Sequence, residues 1–168
     1  MTLSFSPRRI LGCLVPLLLS LTSLNAQDAQ DTLGSLVPDT PITLIDGSTV
    51  AVQDLKGGAK IWTWMPTEKP AEGKVTGIRR VHSDTYISLK AGTRQLEATG
   101  SHRIALADGK LVRLDTVKEG DKITVWGPKG AQDAVVTSIR PLPVTLITYD
   151  LTIEGHRMFL VDSIVVGD

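Results

Sequence analysis

The sequence predicts an all-β domain built from two related halves, and three observations carry that prediction. Residues 108–126 repeat residues 46–64 without a gap, with identity at eight of nineteen positions: Asp46/Asp108, Gly47/Gly109, Val50/Val112, Lys56/Lys118, Gly58/Gly120, Lys60/Lys122, Ile61/Ile123 and Trp64/Trp126. After each Asp-Gly pair, apolar residues alternate with polar ones (Val50 and Val52, then Val112 and Leu114), the period-two mark of a half-buried strand. Beyond residue 26, no apolar stripe of helical period runs longer than one turn. Two copies are too few for a solenoid, so the repeat predicts one domain of two interlocked halves.

Taken in order, residues 1–26 have the form of a secretory signal. Arg8 and Arg9 supply the positive end, residues 10–24 the apolar core, and Ala26 the small residue at the cleavage point. The stretch is short for a spanning helix and contains Pro16. Residues 10–13 look like a lipoprotein box, but they precede the apolar core instead of following it. Cys13, the single cysteine, leaves with the signal, so the mature chain is expected to hold no disulfide, no zinc thiolate and no cysteine nucleophile. The expected location is secreted or periplasmic. Residues 27–34 form a short polar stub.

Residues 35–45 run into the first repeat. In each copy the Asp-Gly pair marks a hairpin turn, because glycine reaches positive φ freely and aspartate tolerates it. Gly58 or Gly120 then breaks the run before a second strand at Lys60-Ile61 or Lys122-Ile123. Residues 66–73 read as a loop. Strands are expected at 75–81 and 84–89, then again at 135–140, 145–153 and 158–166. Fainter echoes extend the repeat: residues 76–79 return as 137–140, Tyr86 as Tyr149, and residues 92–94 as 155–157.

Composition narrows the function. Lysine plus arginine equal aspartate plus glutamate at 18 each, with no long basic run, which argues against nucleic acid or an anionic membrane surface as a partner. A monomer without metal or cofactor is expected, and no membrane association after the signal is removed.

Three stretches then carry a resemblance. They are residues 35–42 (Ser-Leu-Val-Pro-Asp-Thr-Pro-Ile), Thr99-Gly100-Ser101-His102, and residues 148–156 running through Phe159 to the end. In this order they resemble the Hint domain shared by inteins, bacterial intein-like domains and hedgehog autoprocessing domains. The resemblance covers residues 35–168 and implies a fold of two β subdomains related by a pseudo-two-fold.

It also implies chemistry at named positions. Ser35 would attack the Gly34 carbonyl, turning an amide into an ester, with unhindered Gly34 easing the approach. His102 would hydrogen-bond and protonate the departing Ser35 nitrogen. Thr99 would polarise the scissile carbonyl, and Asp150 would take or orient the nucleophile's proton. Gly167-Asp168 stand where the family ends in His-Asn, and Arg157 where an assisting histidine is common. Aspartate has no amide nitrogen to cyclise, so the resemblance implies a domain that cannot splice and cleaves at most at Gly34-Ser35. The bland readings make Ser35 a turn residue, His102 a core histidine, Asp150 a strand-end cap, and His82 and His156 surface residues. On those readings the chain is a catalytically inactive Hint fold serving as a secreted binding or structural module.

Overall fold

The computed structural model describes residues 34–66, 69–155 and 158–167. The signal segment, His156, Arg157 and Asp168 therefore lie outside the described residues.

The turn chemistry sets the pattern. Gly47 and Gly109 sit at φ of 85° and 82°, the left-handed region that the two Asp-Gly turns require. In each turn the aspartate closes the loop, Asp46 Oδ1 accepting from the Ser48 N–H and Asp108 Oδ1 from the Lys110 N–H. Around the first turn, β1 (Pro41–Thr43) pairs with β2 (Thr49–Ala51), and a 3-10 turn at Val52–Asp54 leads to β3 (Lys60–Thr63) and the long β4 (Ala71–Ser83). A hairpin of β5 (Tyr86–Ala91) and β6 (Arg94–Ala98) follows. The second copy repeats the plan as β7 (Arg103–Ala105), β8 (Leu111–Arg113), a 3-10 turn at Leu114–Thr116, β9 (Lys122–Gly127) and β10 (Gly130–Leu142). The described chain closes with β11 (Leu146–Ile153), β12 (Met158–Val161) and β13 (Ile164–Gly167).

The duplication extends to single hydrogen bonds. Leu44 N–H donates to Ser48 and Leu106 N–H to Lys110; Ile45 to Lys60 and Ala107 to Lys122; Val52 to Thr40 and Leu114 to His102. The same offset places Leu36 on Ala98, and these two residues pair with each other. Residues 35–37 and 97–99 thus meet across the pseudo-two-fold, with Thr99 N–H donating to the Ser35 carbonyl and Val37 N–H to the Glu97 carbonyl.

The halves are interlocked by exchange. Long strand β4 pairs with β11 of the second copy, and β10 pairs with β5 of the first. At the centre, β12 pairs with β1 and β3 while β13 pairs with β7 and β9. Both central strands are buried throughout, so they read as unbroken apolar runs without alternation. Phe159 and Val161 face the main core with Ile42, Ile61, Leu89, Ile104 and Leu114. Met158 and Leu160 face a smaller cluster with Trp64 and Val165, flanked by half-buried Trp62 and Trp126.

Three sequence expectations change. The single strand expected at 158–166 is a hairpin, because Asp162 and Ser163 both adopt positive φ, 43° and 65°, without a glycine to announce the turn. The loop expected at 66–73 gives way to β4 at Ala71. Tyr149 is not the equivalent of Tyr86. Leu36 pairs with Tyr149 as its equivalent Ala98 pairs with Ile87, so Tyr149 matches Ile87 and Asp150 matches Ser88.

Candidate active site

The strand order runs from β11 at one end to β6 at the other, and residues 35–37 join those ends. Leu36 exchanges both backbone hydrogen bonds with Tyr149 at 2.8 Å, while Val37 and Ser35 bond to Glu97 and Thr99. The expected nucleophile is therefore fixed between two sheet ends, and its segment is buried, Ser35 being only 2% exposed.

Register then decides which side chains share its face. In an antiparallel pair, the residues flanking a doubly hydrogen-bonded couple stand opposite one another with their side chains on the other face. Leu36 and Tyr149 are such a couple, so Ser35 stands opposite Asp150. Asp150 is in turn opposite Arg79 on β4, and the Arg79 Nη2 lies 3.0 Å from Asp150 Oδ2. On the other side of Ser35, its amide N–H donates to Thr99 Oγ1 at 2.9 Å. The result is one row across four strand segments: Arg79, Asp150, Ser35, Thr99.

His102 enters from the turn after β6, its N–H bonded to the Thr99 carbonyl at 3.0 Å. Its ring packs edge-on to Phe159 with centroids 6.4 Å apart. Gly34 lies directly against it. A Cβ on residue 34 would overlap the His102 Cα and stand 2.6 Å from Nδ1, so only glycine fits before Ser35. Burial pushes the imidazole down to about 4, offset in part by the Gly34 backbone oxygen. That approach falls short of a formed bond, since neither ring nitrogen has a hydrogen-bond partner among the described residues.

Two expected contacts are thus arranged differently at rest. The Ser35 N–H goes to Thr99 and not to His102, while His102 faces Gly34, where Thr99 had been expected. Both follow from the turn at residues 99–102, which leaves the Thr99 hydroxyl level with the Ser35 nitrogen and carries His102 to the preceding residue. Asp150 is held by opposing influences, desolvation raising its pKa above the usual carboxylate value and Arg79 lowering it. Gly167 pairs with Arg103, so the end of β13 arrives one residue from His102.

A polar cleft of about 470 Å³ opens on Ser35 and Thr99 and is bordered by His82, Asp84, Ser101 and Asp115. His82 is exposed, as expected, yet it lines this cleft. Sequence reasoning placed His82 on the surface but not at this cleft, and it passed over Arg79. Arg79 lay inside the repeated 76–79 echo, but only the β4–β11 register reveals that it meets Asp150.

Known structures share this architecture. The DnaB intein from Synechocystis sp. PCC 6803 superposes with a TM-score of 0.74 at 26% identity, over 80% of this chain and 97% of that one. The Ssp DnaB mini-intein variant M86 gives 0.73 at 26%, over 80% and 94%. The chain has the Hint, or intein-like, fold. A bacterial intein-like domain from Clostridium thermocellum shares it, with a TM-score of 0.72 at 21% identity over 80% of this chain and 98% of that one. These neighbours support a Hint-type autoprocessing domain. No protein-family model and no curated protein matches the sequence.

Proposed function

We propose that this Hint domain is an intein-like autoprocessing domain that cleaves at Gly34-Ser35 through an ester and does not splice. The observation that carries the reading is the row of Asp150, Ser35 and Thr99 beside a buried His102 that touches Gly34. Ser35 Oγ gives its proton to Asp150 and bonds to the Gly34 carbonyl carbon. The buried imidazole sits where negative charge grows on the Gly34 oxygen, and a charge there favours proton uptake by His102. As the C–N bond breaks, the Ser35 nitrogen leaves Thr99 Oγ1 and takes a proton from His102. Overall one proton moves from oxygen to nitrogen, and exchange with water resets the two groups. With Asp168 in place of the family's asparagine, no side-chain amide is available for the second cut. The processed protein acts outside the cytoplasm, after loss of residues 1–26.

An ester is less stable than an amide, so the amide dominates until a nucleophile removes the acyl group. Hydroxylamine attacks esters far faster than amides. Treating the folded mature protein with it is expected to release residues 27–34 and leave a chain beginning at Ser35, read by intact mass. Ser35→Ala abolishes the release, and His102→Ala slows it by about a hundredfold. Full mass retained by folded wild-type protein after long exposure overturns the reading in favour of an inert binding or structural module.

A further inference from the structure

The exposed Arg79 is the surface end of a contact that reaches the buried nucleophile segment. Its side chain is 46% exposed, whereas the Asp150 side chain it meets is 8% exposed. A carboxylate so shielded is costly unless a cation accompanies it. No other ion pair reaches Asp150 among the described residues. We propose that Arg79 is a positioning residue for the Gly34-Ser35 rearrangement, holding the Asp150 carboxylate charged and turned toward the row that contains Ser35. The inference rests on the self-processing reading and adds to it the group that keeps the proton acceptor ready.

The surroundings of Asp150 isolate this effect. From β4, the same-face neighbours of Arg79 are opposite Thr148 and Thr152, namely Val81 and Gly77, and neither titrates. From the first segment the facing residue is Ser35, with His102 beyond it against Gly34. Arg79 is thus the charged group that faces Asp150 directly, and its removal leaves desolvation unopposed.

The duplication supplies an internal control. Residues 76–79 return as 137–140, and Arg140 on β10 stands opposite Ser88, the equivalent of Asp150. The arginine is present in both halves, but only one copy faces a carboxylate. Arg140→Gln should therefore leave the site untouched, although it alters the same position of the same kind of strand.

The test measures hydroxylamine-driven release of residues 27–34 against pH, at a constant concentration of unprotonated hydroxylamine. It uses the mature wild type and the variants Arg79→Gln, Arg79→Lys, Asp150→Asn and Arg140→Gln, each checked for folding by circular dichroism. In wild type the rate falls on the acid side as Asp150 protonates. Arg79→Gln should move that fall upward by about one pH unit, the lower end of the effect of a neighbouring arginine because this one is half in water. Arg79→Lys should restore it in large part, and Arg140→Gln should match wild type. Asp150→Asn should be slow at every pH, with no further loss when combined with Arg79→Gln. Carboxyl NMR of Asp150 in wild type and Arg79→Gln reads the same shift without any cleavage. If neither the NMR midpoint nor the acid limb moves in Arg79→Gln, the proposal is wrong. A shifted midpoint with no release from wild type would leave the ion pair intact and remove both its catalytic role and the self-processing reading. A shifted midpoint with an unmoved cleavage profile would remove the role of Arg79 alone.

Discussion

His102 gives the molecule a sensitivity to acid that belongs to a single residue. The buried ring titrates near 4 when folded but near the ordinary 6.5 when unfolded. A folded pKa lowered in this way means that the unfolded chain binds the proton first. Stability is therefore full above about pH 6.5 and lost as pH falls toward 4, by about 3 kcal/mol at most for a shift of this size. Asp150 works in the opposite direction, because burial raises its pKa and acid then favours the folded form, so the net loss is smaller. Urea unfolding at pH 7.5 and pH 4.5 should show this loss in wild type and a reduced loss in His102→Gln. Equal losses in the two proteins would show that the ring is not the group responsible. The same packing explains Gly34, whose lack of a side chain serves the contact with His102 as much as the approach of Ser35. The sequence offered the first reason for that glycine but not the second, because nothing in residues 34 and 102 announces that they touch.

Among the elements, the short segment at 35–37 has an effect out of proportion to its length. It bridges β11 and β6, the two ends of the strand path, and Leu36 at 1% exposure anchors it in the main core. Leu36→Ala removes that anchor and should cost about 2–5 kcal/mol, the usual range for deleting a buried leucine side chain. It should also slow hydroxylamine release, since the register that places Ser35 opposite Asp150 depends on the Leu36–Tyr149 couple. Denaturant melts and release rates check the two effects, and a variant that keeps the wild-type rate would show that the register survives without the anchor. Strands flanked by Asp-Gly turns were legible because glycine at positive φ leaves a sequence mark. The β12–β13 hairpin was not, since Asp162 and Ser163 turn the chain without glycine and both strands are buried on two faces. An apolar run without alternation gives no hint of where it reverses.

At the scale of the whole molecule, the candidate site is where the duplication breaks down. Ser35, Thr99, His102 and Asp150 correspond by position to Glu97, Val37, Thr40 and Ser88. A smaller cleft of about 230 Å³, bordered by Val37, Asp39, Thr40 and Glu97, occupies the related position and carries none of the four. The motifs made these residues legible one by one, whereas their convergence depends on strand exchange, which a linear repeat does not encode. That exchange makes a prediction about the halves. Cutting the expected mature chain at the exposed Gly92-Thr93 turn gives residues 27–92 and 93–168. In the first fragment β4 loses β11, β5 loses β10 and β6, and β1 and β3 lose the central β12. The second fragment keeps the central hairpin but leaves one edge each of β6, β10, β11 and β12 without a partner. Long unpaired edges and an open core are unstable in water and prone to association. Each fragment alone should therefore give the narrow amide dispersion of an unfolded chain. Mixing them should restore a dispersed spectrum, because the pairing that completes each half comes from the other. A well-dispersed spectrum from either fragment alone would mean that the halves are independent domains, and Ser35 and His102 would then have no structural reason to meet.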